Sequence, residues 1–229
     1  VLGQFKNWLP GYTISPGEPY YKKGLAELNS PYGFIRITAA ADFTKAIKAD
    51  PDYAEAYYAR AHAFLDQGLM DACLRDLNKA IELRPNYFDA RQLRGGVYLN
   101  QSQWDKALPD LDKAIKLMPP DVDKTLAEET YMSRALAFWG LNRLDEAIAD
   151  FKQSLELKPD DSLAYFYLGD VYLKQDKLKD AVTAFSKGLD LQPTYDLQES
   201  LPHLQKLVEQ ETNPAIRDQA QTLITQIQP

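Results

Sequence analysis

Apolar residues along this chain recur at helical spacing, in short stretches separated by polar breaks. Tyr165, Leu168, Val171 and Tyr172 fall three and four positions apart, Lys174 to Lys177 interrupt, and Leu178, Ala181, Val182, Phe185 and Leu189 resume the spacing. That period gathers apolar residues on one face of a helix, so the stretch predicts a helix, a turn and a second helix. The outline returns at a nearly fixed interval, because Pro51, Pro85, Pro119, Pro159 and Pro193 stand 34, 34, 40 and 34 residues apart. Five positions before each proline lies a small residue: Ala46, Ala80, Ala114, Ser154 and Gly188. Eight before lies a large apolar one: Phe43, Leu77, Leu111, Phe151 and Phe185. Farther upstream a small residue (Ala61, Gly95, Ala135, Gly169) precedes an aromatic three positions on (Phe64, Tyr98, Phe138, Tyr172). Small residues let antiparallel helices approach closely, large ones fill the space between pairs, and each proline stops the second helix.

This pattern resembles the tetratricopeptide repeat family, whose 34-residue unit carries an aromatic–Leu–Gly–aromatic first helix and an Ala–Phe–Ala–Pro second helix. The resemblance covers roughly residues 19–195. It implies an all-α fold, a right-handed α-α superhelix of stacked helix–turn–helix repeats closed by a C-terminal capping helix pair. The expected organisation is one continuous domain. It begins with an extended lead-in at 1–18 and a degenerate first repeat at 19–53, followed by repeats at 54–87 and 88–121. An insertion at 122–127, repeats at 128–161 and 162–195, and capping helices at 196–229 complete it.

Comparing the units with one another adds detail. Arg60, Arg94 and Arg134 occupy the first-helix position that the family gives to Leu, and Asp76, Asp110 and Asp150 follow sixteen residues later. The last unit has Leu168 and Ala184 at those places. Charges that come and go together point to a salt bridge between the helices of one unit; the alternative is two independent solvent-facing charges. Lys23 and Asp42 imitate the pair if the first turn is three residues longer. The first 33 residues hold nine Gly or Pro, which argues for an extended lead-in, and its apolar residues are expected to pack over the first helices. A short helix is read from Pro19 to Asn29 and another from about Phe34 to Ala49. Asp121 or Asp123 can cap a helix from about Lys124 to Leu141, so the extra residues either lengthen that helix or loosen the loop before it. Pro109 sits near a first turn, where a mild kink is expected.

The chain has 229 residues and a formal charge of −7. Residues 128–161 hold four basic against eight acidic residues, and 196–229 hold two against five. An acidic chain is a poor match for a nucleic-acid phosphate backbone, so RNA reading by helical repeats is disfavoured. No uncharged apolar run approaches the roughly 18 residues needed to span a bilayer, so no membrane insertion is expected within this sequence. Val1 to Pro10 do not form a charged-then-apolar signal pattern, and the missing initiator Met suggests a processed or trimmed chain. The compartment stays open: a soluble domain with one cysteine suits the cytoplasm, or an extracytoplasmic space after removal of an upstream segment.

Catalytic signatures are missing: no Gly-rich phosphate loop, no nucleophile elbow, and no His with a plausible Ser or Cys partner. Glu128–Glu129, Asp145–Glu146 and Asp160–Asp161 are read as helix-start charges that favour the helix dipole. Cys73 takes a small-residue core position and is read as an inert buried thiol. No cofactor and no metal site is expected; Cys73, His62 and His203 lack zinc spacing.

The family resemblance implies that four positions of each first helix face a concave groove. Here these include Tyr58, His62 and Leu65; Gln92 and Leu99; Met132, Leu136 and Trp139; and Phe166, Asp170 and Leu173. The wall grows more apolar toward the C-terminal half, where a peptide or helix with apolar anchors and basic flanks would suit it. Some family members grip the carboxylate tails of heat-shock chaperones with Lys, Asn and Arg on successive first helices. Glu55, Asp89, Glu129 and Asp170 stand on those helices here and would repel such a tail. The expected function is a non-catalytic protein–protein interaction scaffold, an assembly adaptor. The alternative is a regulatory or targeting module cut from a larger enzyme or membrane-anchored protein.

Overall fold

A computed structural model describes residues 15–29, 33–192 and 196–227, with the backbone alone at 33–37. Most of the predicted lead-in, and Pro193, lie outside the described residues. The described chain is all-α. The first four helices are α1 (Glu18–Leu28), α2 (Gly33–Ala49), α3 (Ala54–Asp66) and α4 (Met70–Leu83). Then come α5 (Phe88–Asn100), α6 (Trp104–Leu117), α7 (Lys124–Gly140) and α8 (Leu144–Leu157). The series ends with α9 (Ser162–Lys174), α10 (Leu178–Leu191), α11 (Leu201–Gln210) and α12 (Pro214–Ile227). The architecture is a stack of helix–turn–helix repeats with a C-terminal helix pair. It divides into two compact units, with the boundary between Val97 and Tyr98.

In the first unit α1 packs on α2 and α3 on α4; in the second α7 packs on α8 and α9 on α10, while α12 packs on both α10 and α11. One device closes successive turns. Gly68, Ser102, Asn142 and Asp176 adopt left-handed backbone, with φ of 71°, 55°, 58° and 56°. The N–H of the following residue then reaches back to the last turn of the helix: Leu69 to Phe64, Gln103 to Tyr98, Arg143 to Phe138 and Lys177 to Tyr172, at 2.8–2.9 Å. This is the Schellman arrangement, which satisfies carbonyls that a helix end leaves open. Only one of the four uses glycine; Ser, Asn and Asp tolerate the conformation at a cost of roughly 1 kcal/mol.

Cores form where the repeat pattern puts large residues opposite small ones. Phe43 and Leu77 are fully buried in the first unit, and Leu111, Phe151 and Phe185 in the second. Phe43 lies on Gly24, and Phe185 on Gly169, so closely that a methyl at either glycine would come within 2.6 Å of the ring. At these two places the ring on the second helix occupies the space that a side chain on the first would need.

The Arg–Asp pairing is formed in the repeats that carry Arg60 and Arg134. Arg60 donates through Nε and Nη2 to both Asp76 oxygens at 2.7 and 2.8 Å, and Arg134 does the same to Asp150 at 2.6 and 2.9 Å. Lys23 bonds Asp42 in the degenerate first repeat, and Lys45 joins them at 2.7 Å. Burial works against the Asp42 carboxylate, but these two ammonium groups hold its pKa below the usual range. Arg94 and Asp110 fall in different units, and Arg94 donates to Asn78 at 2.6 Å. Around the insertion, α7 runs 17 residues against 13 in α3, α5 and α9. Asp123 caps it by accepting from the Thr125 amide at 2.8 Å. Pro109 lies inside a continuous α6.

Candidate partner-binding face

In the first unit the predicted face is a hydrogen-bonded aromatic group. Tyr58 Oη and His62 Nε2 are 3.0 Å apart, one turn apart on α3, with their rings edge to face at 5.0 Å. Tyr58 also meets the Tyr87 ring at 5.2 Å, and the Arg84 guanidinium, paired with Glu55, lies 4.6 Å from the Tyr87 centroid. Burial lowers the His62 pKa, so the imidazole is neutral at pH 7, and burial raises the Tyr58 phenol. Leu65 and Gln92 are half-buried.

In the second unit the predicted residues separate. Leu99, Leu136 and Trp139 line an open cavity of about 430 Å³, completed by Trp104, Tyr167 and Lys174. Trp139 also lines a cavity of about 490 Å³ that reaches Asp170, Leu173, Asp196 and Glu199 in the segment before α11, and His203 in its first turn. Trp139 and Lys174 line both. The Trp139 ring meets Tyr167 at 5.6 Å, and Lys174 Nζ sits 5.3 Å from its centroid. Its indole N–H is buried without a hydrogen-bond partner.

Phe166 corrects the sequence reading. It is fully buried, because Gly188 replaces the alanine or serine found at that place in the other repeats and the Phe166 ring lies against it. Leu173 is 2% exposed and contributes the floor of the second cavity rather than an open patch. Met132 packs half-buried against the core and lines neither cavity. Asp170 accepts from Ser200 Oγ at 2.5 Å, which ties α9 to the start of the capping pair. Burial raises its pKa, the Ser200 bond partly offsets this, and Glu199 adds to the rise. Sequence reasoning missed Tyr167, Lys174 and the capping residues, since α11 lies beyond the last full repeat and has no register to read.

Other groups resolve simply. Asp145 and Glu146 stand in the first turn of α8, and Asp161 caps α9 through the Leu163 and Ala164 amides at 2.9 and 3.2 Å. Glu128 differs from its partners: it is 3% exposed and accepts from Ser154 Oγ at 2.8 Å. Cys73 is fully buried, and burial pushes its thiol up to about 11. Among the described residues no group of three His, Cys, Asp or Glu could hold a metal, and no helix is long and apolar enough to cross a membrane.

Comparison with known sequences gives this geometry its family. Residues 54–87 and 132–196 each match a model described as tetratricopeptide repeat. The chain is a tetratricopeptide repeat protein. Among solved structures, this repeat protein is similar to MamA (41-end) from Desulfovibrio magneticus RS-1, with a TM-score of 0.68 and 22% identity over 80% of this chain and 98% of that one. It is likewise similar to YrrB, described as a TPR protein with an unusual peptide-binding site, with a TM-score of 0.67 and 24% identity over 77% and 87% of the two chains. At these identities the likeness concerns the fold. A 64-residue stretch is 36% identical to the Hsp70-Hsp90 organizing protein of Triticum aestivum, covering 28% of this chain and 11% of that protein.

Proposed function

We propose that this tetratricopeptide repeat protein is a non-catalytic protein–protein interaction scaffold, serving as an assembly adaptor. The C-terminal unit would bind a peptide or helix across Trp139. The observation that carries this reading is the pair of cavities that Trp139 and Lys174 both line. The Leu99–Leu136–Tyr167 side suits an apolar anchor, and the Asp170–Asp196–Glu199 side suits a Lys or Arg flank. The first-helix acids Glu55, Asp89, Glu129 and Asp170 support exclusion of a chaperone carboxylate tail. A regulatory or targeting module of a larger protein would use this face in the same way.

Selection from a displayed random-peptide library tests the proposal. Enriched peptides are expected to combine a large apolar residue with a nearby Lys or Arg. Reversing the exposed acids Asp196→Lys and Glu199→Lys should weaken such peptides about tenfold while leaving the circular dichroism spectrum intact. Peptides without basic enrichment, or affinity indifferent to the reversal, would overturn it.

A further inference from the structure

The salt bridge inside a repeat is part of a larger cluster. Arg60 also donates to Thr44 at 3.0 Å, Arg94 to Asn78 at 2.6 Å, and Arg134 to Asp112 at 2.9 Å. Thr44, Asn78 and Asp112 occupy one register, seven residues before Pro51, Pro85 and Pro119, on the second helix of the preceding repeat. The guanidinium therefore lies between an acceptor on one helix and, in two of the three cases shown here, an aspartate on the next, with its flat face 5.5–5.7 Å from the Phe64 or Phe138 centroid.

In the last repeat all three positions change. Lys152 stands in the acceptor register, Leu168 replaces arginine and Ala184 replaces aspartate. No buried charge is stranded, but the volume of the guanidinium is not refilled. A cavity of about 380 Å³ opens there, floored by Leu155, Leu168 and Ala184 and walled by Tyr165 and Tyr172. Lys152 Nζ lies 5.8 Å from the centroid of Tyr172, the ring that corresponds to Phe64 and Phe138, and Lys187 Nζ lies 5.6 Å from that of Tyr165. Among the described residues neither ammonium makes an ion pair.

The mouth also carries Glu156 and Asp180, and the four charges are not equally compensated. Glu156 accepts from Gln153 at 3.1 Å, and Asp180 sits in the first turn of α10, where the helix dipole favours a carboxylate. The two lysines are left with aromatic faces alone, which stabilise an exposed cation by only about 0.5–1 kcal/mol. The register that holds an acceptor in Thr44, Asn78 and Asp112 thus holds a donor in Lys152, above an apolar floor.

We propose that this outer pocket of the last repeat is a docking site for a partner segment carrying a large apolar side chain beside Asp or Glu. The apolar group fills the place vacated by arginine, and the carboxylate pairs with Lys152 and Lys187. The pocket shares no residue with the Trp139 groove and stands independently of the function proposed for it.

The test uses the full chain labelled with ¹⁵N and two blocked peptides, Ac-EDLFDE-NH2 and Ac-KRLFRK-NH2. The acidic peptide should produce saturable amide shifts at Leu168, Thr183 and Ala184, and the basic peptide none at those positions. Rebuilding the cluster with Lys152→Asp, Leu168→Arg and Ala184→Asp should fill the pocket and weaken the acidic peptide at least about tenfold. The exposed pair Lys152→Glu and Lys187→Glu leaves the floor intact and should transfer the shifts to the basic peptide, whether or not the triple variant folds. No shifts with the acidic peptide at about 1 mM, equal shifts with both, or unchanged binding after the charge reversal would overturn the proposal.

Discussion

Arg134 on α7 grips Asp150 on α8 with two parallel hydrogen bonds, at 2.6 and 2.9 Å, and the carboxylate is 5% exposed. The bond strengthens the guanidinium's hold on its proton, raising the Arg134 pKa against the cost of burial. A pair this buried is costly to break from one side, because the survivor keeps its charge without compensation. Arg134→Ala should therefore lose about 3 kcal/mol in urea unfolding. Arg134→Leu with Asp150→Ala introduces the Leu168 and Ala184 of the last repeat and should recover most of that loss. A double variant no more stable than the single would show that the two residues do not act as a pair.

Gly188 and Phe166 form a second unit of this kind. A methyl placed on Gly188 would meet Phe166 Cε1 at 2.5 Å, inside a fully buried site. Gly188→Ala should cost about 1–3 kcal/mol, and adding Phe166→Leu should relieve a large part of it. Equal destabilisation with and without the Phe166 change, in chemical denaturation, would place the strain elsewhere.

Glu128 sets a pH dependence. Burial raises its pKa, and the Ser154 bond only partly offsets this. A carboxyl whose folded-state pKa exceeds its unfolded value adds stability below the ordinary glutamate range, and that contribution is lost as pH rises through the folded value. Glu128→Gln should consequently gain stability relative to the unmodified chain at pH 7 and lose that advantage near pH 4. Thermal unfolding at the two pH values measures it. A variant less stable at pH 7 than at pH 4, relative to the parent, would reverse the sign.

Much of this was legible because a repeat lets one chain act as its own comparison. The Arg60–Asp76, Arg134–Asp150 and Lys23–Asp42 ties follow from residues that change together at fixed separation. The sequence narrowed the α7 cap to Asp121 or Asp123, since a carboxylate just before an apolar helical run satisfies its exposed amides, and Asp123 fills the role. Phe166 was misplaced for a physical reason. It shares a helix face with groove residues, and only the exchange of alanine for Gly188 on the opposing helix draws its ring inward. Glu128 was misread because its partner, Ser154, is itself a departure from the alanine or glycine at that register in the other repeats. The acidic cavity beside Trp139 depends on the path from Asp196 to His203, a segment that repeats nothing and so carried no periodic signal.

The central claim is that a partner crosses Trp139, and the indole N–H reports it directly. With an apolar, Arg-flanked peptide from the library selection, the Trp139 indole resonance, assigned by its loss in Trp139→Phe, should shift saturably in ¹⁵N–¹H spectra. Its titration should give the same dissociation constant as calorimetry. A peptide that binds by calorimetry while this resonance stays unmoved would contradict the account.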